Sequence, residues 1–150
     1  MTDESIEIDW DRPDPFFVDV VVAADQIDAL GHTNNVHYLA WLQDCAWAHS
    51  RARGVDEALM VQLDRAMAVR ETSMTYLAAT HEADALRVGD WITACDRRLR
   101  ARRAFQIVRL RDGVTVLRAA IDYVCIEIST GRPARMPTAF ADAYTADLRA

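Results

Sequence analysis

A chain of 150 residues, 51% of them hydrophobic, is long enough to bury one core without disulfides or metal and too short to suggest two domains. Its net charge of −6 provides no positive field for nucleic-acid phosphates or anionic membranes, and it contains no run of about 18 apolar residues to cross a bilayer. All 17 basic residues are Arg, a bias that codon composition accounts for and that supports no function by itself.

Residues 1–15 are acidic and carry Trp10 and two prolines, so they read as an irregular leader with a small contact at Trp10; a single domain then covers 16–150. Phe16 to Ala23, β-branched and aromatic, predicts the first strand. A loop over 24–34 delivers the chain to a helix from about 35 to 53. There Val36, Leu39, Ala40, Leu42, Ala46, Trp47 and Ser50 recur at helical spacing, and Gly54 supplies the stop. Such a helix is about 28 Å long and, being apolar on most sides, is expected to be deeply buried.

A short helical turn is expected around 56–61, followed by strand-like runs over 66–79, 90–100, 103–111 and 114–128. Val88-Gly89-Asp90 reads as a turn, and Asp112-Gly113 as a tight hairpin. Ser129 to Pro133 closes the last strand, and 137–148 predicts a C-terminal helix. Cys45, Cys95 and Cys125 lack C-x-x-C spacing and read as small apolar core residues of a soluble, cytoplasmic protein. One long helix followed by hairpin-joined strands gives an α+β class, an antiparallel sheet wrapped around one long central helix. Its edge strands need covering, and strand-to-strand dimerisation is the expected remedy.

The chemistry that can be argued lies between Asp28 and the helix start. The first helical N–H groups have no partner within the helix and, with its dipole, attract developing negative charge. Asp28 lies seven residues before Asn35, across a loop in which Gly31 lets the backbone approach a ligand. A carboxylate there can act as general base toward water or attack a carbonyl, with the Asn35 and Val36 amides holding the oxyanion and His32 orienting water or the carboxylate. The plainer alternative is that Asp28 serves a turn and the asparagines cap the helix. Cys45 lies deep in an apolar helix with no base beside it, and the histidines have no metal-ligand spacing, so neither a thiol nucleophile nor a metal is assigned. The run Arg97-Arg98-Leu99-Arg100-Ala101-Arg102-Arg103 lacks an aromatic platform and reads as a solvated hairpin face, with a small phosphate-bearing ligand such as coenzyme A as the alternative.

Asp28-Ala-Leu-Gly31-His32-Thr-Asn34-Asn35-Val36-His-Tyr38-Leu-Ala-Trp41 resembles the signature of hotdog-fold acyl thioesterases, the group that includes 4-hydroxybenzoyl-CoA thioesterase and the acyl-carrier-protein thioesterases. Val69 to Leu77, Val88-Gly89-Asp90, Asp112-Gly113, Gly131-Arg132-Pro133 and Met136-Pro137 fall in the family's order, so the likeness spans about residues 16–140. The resemblance implies the hotdog fold and an acyl-CoA thioesterase that needs no cofactor or metal. It implies Asp28, His32 and the Asn35 amide as catalytic groups, and Gly31, Asn34, Val36 and Tyr38 as substrate contacts. It further implies acyl-CoA, or acyl carrier protein, as substrate, and a homodimer or homotetramer with active sites at the interface. Leu30 stands where the plant carrier-protein enzymes have Asn, and His32 follows Asp28 by four residues where hotdog hydratases use five. A non-catalytic acyl- or CoA-binding hotdog module and a hotdog enoyl-CoA hydratase are the alternatives.

Overall fold

From Asn35 the chain runs for 18 residues without Gly or Pro, and the Asn34 side chain accepts the Val36 amide at the start, which gives helix α1, Asn35–Ala52. Tyr38, Trp41, Leu42, Cys45, Ala46, His49 and Ser50 form its buried face. The computed structural model describes residues 7–149; residues 1–6 of the expected leader lie outside the described residues. Strands β1 (Phe16–Val21), β2 (Arg65–Tyr76), β3 (Ala85–Cys95), β4 (Arg100–Arg109) and β5 (Val114–Glu127) form one antiparallel sheet, with helices α2 (Glu57–Leu63) and α3 (Thr138–Thr145) flanking it.

The sheet order is β1-β3-β4-β5-β2. Hairpins join β3 to β4 and β4 to β5, as expected, but β2 pairs with β5 at the far edge and not with its sequence neighbour β3. Leu42 and Cys45 of α1 pack on Leu86, Val88, Phe105, Ile107, Leu117 and Ile121 of the sheet in the larger core cluster. A second cluster under α2 and α3 gathers Val55, Met60, Ile92, Cys125, Met136 and Phe140.

Two expectations are corrected here. Val88-Gly89-Asp90 is no turn but the middle of β3, paired with Phe105 to Ile107 of β4. A Cβ on Gly89 would stand 2.7 Å from Cζ3 of Trp10, so this glycine makes room for an indole laid across the strand. Helix α1 is also less enclosed than its apolar composition suggests. Val36 is 66% and Trp47 41% exposed, and with Ala40 and Gln43 they make an open stripe at helical spacing beside edge strand β2.

The coil before β1 covers the outer face of the sheet. Trp10 meets Trp91 edge-on, the Trp91 indole N–H donates to Pro13 O at 3.0 Å, and Arg118 grips Asp11 with two bonds of 2.8 and 2.9 Å. Buried Gln106 accepts the Asp11 amide and donates to Asp9 O. Cys45 and Cys125 are buried and Cys95 is half-buried, and burial pushes the Cys45 thiol well above its ordinary range. Among the described residues no helix is long and apolar enough to cross a membrane.

Candidate active site

The loop before α1 is tied down at both ends. The Asp28 amide donates to His32 O at 2.8 Å, Asn34 N to Gln26 O at 2.8 Å, and Thr33 pairs by backbone and hydroxyl with Thr80. Inside the loop, Oδ1 of Asp28 accepts the Leu30 amide at 2.9 Å and the His32 amide at 3.3 Å, and Gly31 turns the chain at φ 78°. The same carboxylate therefore shapes the turn through Oδ1 and leaves Oδ2 without a hydrogen bond among the described residues.

Asp28, Gly31, His32, Asn34, Asn35 and Val36 are brought together and all are exposed. The Val36 amide is engaged, at 3.4 Å, by the Asn34 cap, whereas the Asn35 amide has no bonded acceptor among the described residues. It is the open donor at the positive end of the helix. The His32 ring packs edge-on against His81 with centroids 5.3 Å apart, so its bond to Asp28 runs through the main chain. Tyr38 points the other way, buried in the core with its hydroxyl 2.8 Å from Thr80 Oγ1, where it braces the loop from beneath.

At the other end of α1 lies a polar cluster that the sequence does not announce. Arg103, inside the run expected to be a solvated face, has a side chain 3% exposed and donates from Nη1 to Asp90 Oδ2 and His49 Nδ1, both at 2.8 Å, and from Nη2 to Ser50 Oγ at 2.9 Å. A guanidinium has no lone pair to offer, so Nδ1 of His49 is the acceptor and its proton is on Nε2, 3.3 Å from Asp147. Burial opposes the Arg103 charge, but Asp90 and the phenols of Tyr123 and Tyr144 outweigh it and hold the guanidinium above the usual arginine range. Burial likewise pushes the Tyr123 phenol up, against the pull of Arg103.

Arg103, Ser50, Tyr123 and Tyr144 face a cavity of about 190 Å³ whose other walls include Trp47, Met60, Met67 and Ile92. It opens beside the exposed stripe of α1, between that helix and β2. Along α1, at 1.5 Å per residue, Asn35 is about 12 Å from Gln43 at the cavity rim and about 22 Å from Ser50. The Asp28 loop and the cavity thus occupy opposite ends of one helix.

A five-stranded antiparallel sheet packed on one long helix, with a carboxylate loop at the helix start, is the hotdog architecture of thioester hydrolases. The sequence profile of the thioesterase-like superfamily matches residues 21–144, and the chain belongs to that family. Among solved structures it is similar to the 1,4-dihydroxy-2-naphthoyl-CoA thioesterase Slr0204 from Synechocystis, at 20% identity and a TM-score of 0.80 over 91% of this chain and 99% of that one. The SAV2348 protein of Staphylococcus aureus, solved in complex with CoA, shares 18% identity and a TM-score of 0.84 over 91% and 85% of the two chains. The probable thioesterase YbaW of Escherichia coli shares 18% identity and a TM-score of 0.74 over 88% and 98%. No curated protein matches the chain significantly.

Proposed function

We propose that the chain hydrolyses acyl-CoA thioesters at the Asp28 loop. Water attacks the thioester carbonyl as Asp28 takes its proton, the Asn35 amide holds the oxyanion, and the C–S bond breaks to release the acid and the CoA thiol, protonated from Asp28. Direct attack by Asp28, followed by hydrolysis of the anhydride, uses the same groups. The observation that carries this reading is a carboxylate with one oxygen unbonded on the loop that ends at an open helix amide. CoA as the carrier is supported by the likeness to a protein solved with CoA, and three free cysteines agree with a reducing, cytoplasmic setting.

The proposed assembly is a homodimer joined through β2, with pairing into tetramers as its further step. β2 is a 12-residue edge strand that exposes Val69, Glu71 and Tyr76, next to the open stripe of α1. A two-fold axis normal to the sheet sets the two α1 helices antiparallel, so Asp28 of one copy approaches the cavity of the other. The test is thiol release from a panel of short, medium, long and aromatic acyl-CoA thioesters by the wild type and by Asp28→Asn. Turnover by the wild type and a fall of about 10²-fold or more in the variant are expected; an Asp28→Asn variant of full activity overturns the assignment.

A further inference from the structure

We propose that the cavity beside α1 receives the far end of the acyl group and that Arg103 reads a neutral oxygen there, a hydroxyl or a ketone. The preferred substrates are then acyl-CoA thioesters oxygenated at their distal end. The thioester part of this statement rests on the function proposed above, whereas the binding chemistry stands on the cavity itself.

Among the described residues Arg103 is the one charged side chain lining the cavity. Of its five N–H donors, Asp90, His49 and Ser50 take three. The remaining two, Nε–H and one Nη2–H, find no acceptor other than the Tyr123 phenol oxygen among the described residues, in a pocket whose walls are otherwise mostly apolar. An arginine buried this deeply with donors to spare favours a ligand that brings an acceptor and penalises one that does not. The Tyr123 and Tyr144 rings, 5.9 and 5.5 Å from the guanidinium carbon, frame it on the cavity side.

Charge selects the kind of acceptor. Asp90 already neutralises Arg103 at 2.8 Å, and Asp147 beside His49 is itself paired with Arg53. A ligand carboxylate would therefore add a second negative charge to a pair that is already balanced, at a high cost in a buried site. A hydroxyl or keto oxygen takes the free donors without that cost. At about 190 Å³ the cavity is smaller than the roughly 300–1,000 Å³ of clefts for drug-sized ligands, which suits an acyl end and not a whole CoA. Met60 and Met67 line it with side chains that adapt to either a straight or a cyclic chain.

The test compares hexanoyl-CoA with its ω-hydroxy and ω-carboxy forms, with the octanoyl series alongside. The wild type is expected to show a kcat/KM about tenfold or more higher for the ω-hydroxy form than for the plain one at the better-fitting length, with the ω-carboxy form below the ω-hydroxy form. Asp90→Asn combined with Arg103→Met removes both charges together and is expected to bring the hydroxy-to-plain ratio to about one. Equal or lower kcat/KM for the ω-hydroxy form at both lengths in the wild type overturns the proposal. So does a preference for the ω-carboxy form. Absence of hydrolysis across the whole series sinks the thioesterase reading instead. In that case, or if the double variant does not fold, dissociation constants of the wild type for the matching non-hydrolysable thioether analogues decide: the same order supports the proposal, and equal affinity for hydroxy and plain forms overturns it.

Discussion

Oδ1 of Asp28 accepts two loop amides, so a substitution at this position can disturb the turn as well as the chemistry. Asparagine keeps an oxygen where Oδ1 stands and removes only the charge. Asp28→Asn is therefore expected to fold with a stability within about 1 kcal/mol of the wild type while losing thiol release. Asp28→Ala loses the turn bonds too, and a melting point below that of the asparagine variant separates the two roles. The same two-sidedness holds for Arg103. Its bonds to Asp90, His49 and Ser50 fix the packing of β3, β4 and α1, while the same side chain lines the cavity.

Gly89 lies in the centre of β3, where a strand gains nothing from its flexibility, and its missing Cβ is the space taken by Trp10. Gly89→Ala would bring a methyl to 2.7 Å from the Trp10 ring and 3.3 Å from Pro15 Cβ. The coil must then lift away, at about 1–3 kcal/mol. A lower denaturation midpoint with a red-shifted tryptophan emission is expected, with thiol release retained because α1 lies on the opposite face; an unshifted emission would show that Trp10 does not depend on this gap.

The same glycine marks how far the sequence could be read. Helix α1 and most strands announce themselves by local spacing, and the Asp28 loop is legible because its turn, cap and helix start are contiguous. Val88-Gly89-Asp90 has the composition of a turn because its two special residues answer to distant partners, Gly89 to Trp10 and Asp90 to Arg103. Nothing in a run of five arginines within seven residues tells which one is buried, since the groups that hold Arg103 come from α1 and β3. The cavity is equally hidden, because its walls come from α1, α2, α3 and four strands.

For the whole molecule the deciding feature is the outer edge of β2. Val69 is 48% exposed on β2, beside the bulge between Val69 and Glu71, and α1 offers the open stripe of Val36, Ala40, Gln43 and Trp47 alongside. A charge at the centre of that surface, Val69→Glu, is expected to give a monomer in sedimentation experiments and to lower thiol release by an order of magnitude or more. A monomeric variant that turns over at the wild-type rate would show that one copy suffices.

The coil laid over the outer sheet face bears on how this protein can be handled. Its residues precede β1 and look dispensable, so residue 16 is the natural place to cut. Yet Trp10, Pro13 and Asp11 cover Trp91, Gly89 and Arg118, and Gln106 bonds to the main chain of residues 9 and 11. A chain begun at Phe16 would present Trp91 and a glycine-gapped strand centre to water as a sticky plane, and is expected to precipitate at concentrations where the full chain stays dissolved. Light scattering of the two forms side by side would read this directly, and equal solubility would mean that the coil is ornament and the outer face tolerates water unaided.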